Sequence, residues 1–297
     1  MRGLPQEIPK CSLAEGLHFI LRFRSRFKSL RTVTAHNPHS TPMKQCAFCL
    51  RPAKMTAEHI WSEWMGRLFS SYTGRYHVQW GVGPEAKTWK SKSIDAVARV
   101  VCERCNNGWM SDVDAEASAT MSNMIRYGSA VSLLPVGIAS IATFAYKAAV
   151  VVDCAGGGGG PFFPPAERKR FSAGGQLPGG VQVWLSTIRT KRLHSHIRGH
   201  YAKINTGRYR HFRVFVFTYS VGFLVVQLIA FRWGSKLLKR PRFIPYLRQA
   251  DVFTPVSVPL WPPDGRPVLW PTEQYLTDQT IHQISERWGN IAEFIPS

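Results

Sequence analysis

The chain has 297 residues, of which 44% are hydrophobic and 12% aromatic, so it can bury one large core or two ordinary ones. This composition excludes an intrinsically disordered protein, which is poor in apolar residues. The 38 Lys and Arg outnumber the 18 Asp and Glu, which gives a formal net charge of +20 at pH 7. So much positive charge repels itself in a compact fold, and it predicts a polyanionic partner.

The positive charge is concentrated between Ala155 and Ala250, where 17 residues are basic and one, Glu167, is acidic. A solvated basic surface that only maintains solubility does not require such a regional bias. The bias therefore favours nucleic acid as the partner.

The location expected for the protein is the cytoplasm, with reduced cysteines. The N-terminus lacks the continuous apolar segment of a secretory signal, and a disulfide framework is unusual in a chain of this length. The longest apolar stretches, 138–152 and 221–231, are too short or too interrupted to span a bilayer, so no membrane partner is expected.

Residues 1–42 form a basic N-terminal extension, in which apolar and basic side chains alternate over 17–31. The extension is either an arm that binds nucleic acid or, if translation starts at Met43, not part of the protein. The cysteine motifs begin directly after Met43.

Residues 43–127 carry the cysteine motifs and mix helical and strand patterns. Apolar side chains recur at helical spacing after the first C-x-x-C pair, and β-branched residues lead into the second pair. Ser111, which is followed by acidic side chains, has the features of a helix N-cap. The predicted elements are a helix over 60–69, a hairpin or loop over 70–92, a strand over 97–101 and a helix from Ser111 to about Arg126.

Residues 128–297 are predicted to form a basic α+β domain. Residues 136–153 are apolar on nearly every side, which indicates a buried helix, and the Gly and Pro residues of 156–165 mark a linker. Aromatic and β-branched runs then predict a mostly β region. Its strands are expected at 181–189, 201–205, 213–219 and 222–231, the last two joined near Ser220, with a short helix at 280–288.

Four of the six cysteines form two C-x-x-C pairs separated by 52 residues. Ordinary buried cysteines or a single redox pair would not require two such pairs, whereas Zn²⁺ favours four thiolates in a closed tetrahedral site. A closed site has no open position, so this zinc would stabilise the fold. The predicted ligands are Cys46, Cys49, Cys102 and Cys105.

Three polar residues accompany the cysteines: Glu58 and His59 follow the first pair, and Asn106 directly follows the second. Each has an ordinary explanation when taken alone. Asn106 can cap a helix or close a turn, and Glu58 is favoured near a helix N-terminus. His59 can donate a hydrogen bond to a zinc-bound sulfur.

The ordered motifs over 46–110, C-x-x-C, then Glu-His, then C-x-x-C-Asn, resemble those of the zinc-containing HNH endonucleases of the ββα-metal group. Residues 58–61, 105–112 and 144–149 are also similar to bacterial and phage HNH proteins that have a long C-terminal region. The resemblance implies an α+β protein in which a treble-clef, ββα-metal zinc module over 43–127 precedes a helix and a mostly β domain.

The resemblance also implies a metal-dependent endonuclease, with double-stranded DNA as the expected nucleic acid. His59 would be the general base, since histidine activates water near neutral pH. Glu58 and Asn106 would offer oxygen ligands to Mg²⁺ or Mn²⁺ at the scissile phosphate. Arg67 and Arg104 would contact the nucleic-acid backbone.

The sequence departs from the HNH pattern in its middle part. No Asn occurs between Ile60 and Val101, where many members have one that orients the general base. Gln79 or a backbone carbonyl would have to orient His59 instead. The alternative hypothesis is a non-catalytic, zinc-dependent protein that binds nucleic acid on the same scaffold. A third hypothesis is a protein–protein adaptor or toxin-like partner of a phage or defence system.

Overall fold

The structure, a computed structural model, describes residues 43–71, 76–80, 87–92, 94, 96–156, 161–190, 194–204, 212–233, 236–237 and 256–286. Helices and strands are mixed throughout these ranges, which confirms the expected α+β class. The basic extension over 1–42 lies outside the described residues.

The first half of the described chain builds a small two-stranded sheet and a long helix. Its elements are β1 (Met55–His59), α1 (Glu63–Leu68), β2 (Tyr76–Trp80), β3 (Lys87–Ser91), β4 (Val97–Cys102), α2 (Glu103–Cys105), a π-helical turn (Asn106–Met110) and α3 (Ser111–Tyr127). Strands β1 and β4 pair antiparallel. The chain then passes from β4 through the short α2 and the π-helical turn directly into α3.

Helix α1 begins later than the helix predicted over 60–69. The backbone N–H of Ile60 donates to the carbonyl of Ala96 at 2.9 Å, so the strand pairing continues one residue beyond β1. Ile60 and Trp61 are buried before the helix begins at Glu63. The helical spacing of the apolar residues therefore correctly indicated that Ile60 and Trp61 are buried. The helix itself begins three residues later than predicted.

Helix α3 does not begin at a capping serine. Ser111 has φ −64° and ψ −37°, which is a helical conformation, whereas an N-cap residue is extended. The N-cap prediction for Ser111 is wrong because the chain already turns helically from Glu103, with one kink at Gly108.

The second half of the chain adds three helices and most of the strands. Its elements are β5 (Val131–Leu133), α4 (Pro135–Ala155), α5 (Pro165–Ser172), β6 (Val181–Thr187), β7 (His194–Ile204), β8 (Phe212–Val221), β9 (Leu224–Trp233), β10 (Lys236–Leu237), β11 (Ser257–Trp261), β12 (Val268–Trp270) and α6 (Thr280–Glu286). The turn between β8 and β9 lies at Gly222 and Phe223, two residues beyond the predicted position near Ser220. Helix α5 starts at the end of the predicted linker, where Pro165 suits the first helical position.

Eight strands form one large sheet in the order β11-β6-β9-β8-β7-β2-β3, with β10 paired to β9. The β2–β3 hairpin comes from the segment between β1 and β4, and β2 pairs in parallel with β7. The sheet therefore includes strands from both halves of the chain, and one hydrophobic core extends from Cys46 to Trp270. The division of the chain between 127 and 128 stays a prediction.

Helix α4 lies at the centre of this core, where it contacts α3, β4, β9 and β11. Every residue from Phe144 to Asp153 is buried. Within the described ranges, α4 is the one helix long and apolar enough to cross a membrane, but 72% of its apolar window is buried inside the protein. The apolar composition of α4 is that of a helix buried in a protein core, and it does not require a membrane.

Strands β8 and β9 are apolar on both faces because both faces are covered. Phe144 of α4 packs edge-to-face on Tyr219 of β8, with ring centroids 5.7 Å apart. On the other face, Val225 of β9 packs with Ile281 and Ile284 of α6. Strands covered on both faces have near-continuous apolar runs, which explains why the sequence indicates this hairpin clearly.

Gly222 connects the β8–β9 turn to the end of α3. Its φ is +57°, a left-handed conformation, and the neighbouring Phe223 N–H donates to the Ile125 carbonyl at 3.0 Å. A Cβ atom at Gly222 would overlap that carbonyl oxygen. The turn therefore has no room for a side chain.

We predict that Gly222→Ala lowers the free energy of unfolding by about 3 kcal/mol or more, since it adds a backbone overlap to the ~1 kcal/mol cost of a left-handed alanine. Gly265→Ala is the matched control, because Gly265 has φ +87° and nothing within 4 Å of its Cβ position. Urea denaturation followed by circular dichroism measures both. Equal losses would contradict the close contact with α3.

Candidate functional site

The four predicted zinc ligands lie together. Their sulfur atoms are all within 4.8 Å of one another, and the sulfurs of Cys49 and Cys102 are 3.7 Å apart. Sulfurs around a tetrahedral Zn²⁺ lie roughly 3.8 Å apart, given Zn–S bonds of about 2.3 Å, whereas a disulfide bond is about 2.05 Å long. All four cysteines are free. The cluster can therefore hold a metal ion.

The first C-x-x-C pair lies in a tight turn, residues 46–51, which we call the knuckle. The Cys46 N–H donates to the Arg51 carbonyl at 3.0 Å, and the Leu50 N–H donates to the Cys46 carbonyl at 3.1 Å. The N–H of Cys102, at the end of β4, donates to the Cys46 sulfur at 3.4 Å. Backbone hydrogen bonds thus hold the two pairs in contact.

The pKa values of Cys46 and Cys105 are shifted in opposite directions. Burial raises the pKa of Cys105, and the negative charge of Cys46 raises it further. Burial also acts to raise the pKa of Cys46, but three backbone N–H groups, led by that of Cys102, outweigh burial and lower it. Close thiols resist joint ionisation unless a cation compensates their charge, and a divalent metal ion supplies such a charge.

The pairing register of β1 and β4 shifts by one residue beside the cluster, so that Ala57 faces both Arg99 and Val100. Such a bulge releases backbone groups from the regular ladder. The Val100 carbonyl accepts the N–H of Ala47 in the knuckle at 2.8 Å. The Ala57 carbonyl accepts the side-chain amide of Asn106 at 3.2 Å. One irregularity therefore supports both the cluster and a residue predicted for catalysis.

A polar cleft of about 410 Å³ contains all three residues predicted for catalysis. Glu58 and His59 lie at the end of β1, and Asn106 lies at the start of the π-helical turn. The other lining residues are Ala57, Ser62, Glu63, Asn107, Ser111 and Asp114. The described lining of the cleft is thus rich in carboxylate, amide and hydroxyl groups, and it includes no Lys or Arg.

Asn106 ties the start of the helical segment to β1. Its side-chain amide donates to Thr56 Oγ1 and to the Ala57 carbonyl, each at 3.2 Å. None of the described residues donates to its Oδ1, which is therefore available to a ligand in the cleft. The helix-capping explanation of Asn106 does not hold, because the side chain bonds to a strand.

Glu58 belongs to a buried charge network and is not a surface carboxylate, since 5% of its surface is exposed. Its Oε1 accepts from Nζ of Lys147 at 3.1 Å, and the same Nζ lies 2.8 Å from Oδ1 of Asp114. Ser62 Oγ donates to that Asp114 oxygen at 2.7 Å. Burial raises the pKa of Glu58, although the charge and hydrogen bond of Lys147 oppose the rise.

His59 is exposed and lines the cleft. In the part of the chain that the structure describes, no residue hydrogen-bonds to its imidazole ring, the four cysteine sulfurs included. The side chain of Gln79, the predicted orienting group, lies outside the described residues. The imidazole is therefore accessible, and no described side chain fixes its orientation.

Asp114 and Lys147 belong to the site, although no role was predicted for either of them; Lys147 lies within the stretch 144–149 that is similar to HNH proteins, and Asp114 lies outside the similar stretches. Ser111 and Asp114 are three residues apart in α3 and so share one helix face. That polar face is a usable sequence signal. Lys147 is the one cation in the apolar segment 136–153, and a buried cation predicts a buried anionic partner.

The two predicted phosphate contacts, Arg67 and Arg104, lie near different clefts. Arg67 forms an exposed ion pair with Glu63 at the cleft, at 3.4 Å. Arg104 lines a different cleft, beside the cysteine cluster. Part of the basic region, 205–211 and 238–250 among it, lies outside the described residues.

No protein-family model, no curated protein and no solved structure matches this chain. The resemblance to the HNH endonucleases therefore depends on the motif residues alone and stays a prediction.

We predict that Cys102→Ser abolishes stoichiometric metal binding and lowers Tm by about 10 °C or more, because the fold loses a cross-link between the knuckle and β4. Elemental analysis of the purified chain and calorimetry measure the two effects. Cys154→Ser is the matched control, since Cys154 is also free but lies outside the cluster. A Cys102→Ser protein that retains its metal would refute the assignment.

We predict that Lys147→Met lowers the free energy of unfolding by about 3–5 kcal/mol at pH 7, because two carboxylates lose their buried cation. A carboxyl whose folded-state pKa is raised binds a proton more readily when folded, so the loss should shrink as pH falls towards 4. Adding Glu58→Gln should recover part of the loss at pH 7. A loss independent of pH, measured by urea denaturation, would contradict the network.

Proposed function

We propose that the protein is a metal-dependent endonuclease of the HNH type that hydrolyses phosphodiester bonds of DNA. The observation that carries the proposal is that Glu58, His59 and Asn106, which come from distant segments, line one polar cleft. The order of β1, β4 and α3 is consistent with a ββα-metal module. The four-cysteine cluster, which shares the β1–β4 bulge with Asn106, would support this cleft.

The ion proposed for the cluster is zinc, with a structural role. Four thiolates suit Zn²⁺ in a closed tetrahedral site, and the sulfur separations fit that geometry. Because all four ligands come from the protein, no position is left for substrate. Zinc would hold the knuckle, β4 and α2 in one arrangement and so keep Asn106 against β1.

The donors of the cleft suit a hard divalent ion such as Mg²⁺ or Mn²⁺, which prefers carboxylate and amide oxygens. Glu58 and Asn106 would hold it, Glu58 through the oxygen that does not bond to Lys147 and Asn106 through Oδ1. Such an ion, when bound, neutralises charge that develops on the scissile phosphate. Lys147 would keep the Glu58 carboxylate oriented, because one of its oxygens is fixed at 3.1 Å.

His59 would act as the general base. A neutral imidazole accepts a proton at a ring nitrogen from a water molecule, which makes the water a better nucleophile. The exposed position of His59 gives water and a phosphodiester access to the ring. Glu58 lies next to it in sequence and points into the buried network, as alternate residues of a strand do.

The second candidate is a non-catalytic protein that binds nucleic acid through the same zinc-containing scaffold. Two observations favour it. An ammonium group already binds Glu58, and no described residue orients the His59 ring. A site that has lost cleavage would tolerate both features, and the positive charge would still provide affinity.

We predict that the wild-type chain nicks or linearises supercoiled plasmid with Mg²⁺ or Mn²⁺, and that His59→Ala lowers the rate by about 10²–10⁴-fold, as loss of a general base does. Gel electrophoresis separates the plasmid forms. His282→Ala is the matched control, since His282 is also exposed and lies on α6. EDTA should stop cleavage, and excess Mg²⁺ should restore it.

A wild type that retards the plasmid on the gel without cutting it, with either metal, would reject the nuclease proposal in favour of the binding protein. Equal rates for His59→Ala and His282→Ala would show that any cleavage has another source.

A further inference from the structure

Two clefts flank the knuckle, apart from the cleft that contains His59. The first, of about 480 Å³, is lined by Arg51, Arg104 and Lys169 together with cluster residues. The second, of about 340 Å³, is lined by Lys44, Arg99 and Arg168. We call them the knuckle clefts. Helix α5 contributes to both, through the adjacent residues Arg168 and Lys169.

The charges of the three clefts are segregated. Among the described residues, the lining of the knuckle clefts includes six cations and no carboxylate. The described lining of the cleft around His59 includes the carboxylates of Glu58, Glu63 and Asp114. Lys147 and Arg67, which pair with these carboxylates, are not among its lining residues. Like charges placed together cost electrostatic energy, so each arrangement favours a ligand of the opposite sign.

None of the six cations of the knuckle clefts forms an ion pair with a described carboxylate. Arg168 differs from the other five in that it is 7% exposed and interacts electrostatically with the buried carboxyl of Asp153. Its guanidinium donates to the carbonyls of Phe163 and Ala47 and to the sulfur of Cys154. Burial raises the pKa of Cys154 to about 12, so that partner stays neutral.

The metal cluster by itself does not account for these charges. Four thiolates and one divalent ion carry a net charge of about −2, which two nearby cations would balance. Six cations line the two clefts, and Asp153 offsets the charge of Arg168, so about three positive charges remain. This excess favours a further anion.

We propose that the knuckle clefts bind the phosphate backbone of a nucleic-acid duplex. A duplex presents about one negative charge per 1.7 Å of its axis, so it supplies several phosphates to neighbouring clefts at once. Arginine and lysine side chains bind phosphate oxygens without reading bases. The inference takes its partner class from the proposed function, but it requires binding only and no cleavage.

The test is the salt dependence of binding to a short fluorescent DNA duplex, measured by anisotropy on the full chain without added Mg²⁺ or Mn²⁺. The variant Arg51→Gln, Arg104→Gln, Lys169→Gln should bind at least about tenfold more weakly, and its log–log salt slope should be smaller by about 0.9 per lost contact. The matched control, Arg126→Gln, Arg189→Gln, Arg266→Gln, removes the same charge outside both clefts. It should change the slope by less than one contact.

Lys169→Gln alone guards against an effect through the cluster, since Lys169 lies on α5 rather than beside a cysteine in sequence. It should reduce the slope by about 0.9 with its metal content unchanged. If only variants that lose metal bind more weakly, the cations serve the cluster and the proposal is overturned. Equal slopes for the cleft variant and the control, or no duplex binding by the wild type, would overturn it as well.

The two proposals fail separately. Binding that depends on the knuckle clefts, without cleavage, would leave this inference standing and reject the nuclease. Cleavage that His59→Ala abolishes but that the cleft variant leaves unchanged would support the nuclease and reject this inference.

Discussion

The ammonium group of Lys147 donates to Glu58 and Asp114 from inside the core, with 2% of the residue exposed. It belongs to α4, whereas its partners belong to β1 and α3, so one cation connects the three elements around the cleft. An unpaired buried charge costs several kcal/mol, and each member of the network therefore requires the others. Two carboxylates and one ammonium leave an excess negative charge, which favours another cation at the cleft.

The bulge at Ala57 has a comparable role for the metal cluster. It releases the Val100 carbonyl for the knuckle and the Ala57 carbonyl for Asn106. A metal ion that fixes the knuckle would therefore also affect the position of Asn106, although it would not enter the cleft. A closed structural metal site can in this way influence a neighbouring site through hydrogen bonds. The groups that surround a metal centre orient its ligands by hydrogen bonds in the same manner.

The sequence predicted the parts of the site that depend on local spacing. Cys46 and Cys49 meet because two intervening residues allow a turn, and the same holds for the second pair. It did not predict the contact between Asp114 and Lys147, although Lys147 lies within 144–149, because this contact depends on how α4 packs against β1 and α3. Ser111 shows a similar limit. Its side-chain type suits a cap, but the chain already turns helically from Glu103. Strands β8 and β9 were predictable because burial on both faces leaves an apolar run in the sequence.

The net charge of +20 is the sum over regions of opposite charge. The described residues that line the cleft around His59 are mostly acidic or polar, and Lys147 and Arg67 compensate only part of their negative charge. The charged residues that line the clefts around the knuckle are basic. A polyanion would gain affinity at the basic surface and would be repelled by the acidic one unless a divalent ion were present there. In the proposed nuclease, affinity and metal requirement would then have separate structural origins. The binding-only alternative explains the affinity for nucleic acid but gives no reason for a metal requirement. The acidic cleft is therefore the feature that favours a nuclease over a protein that only binds.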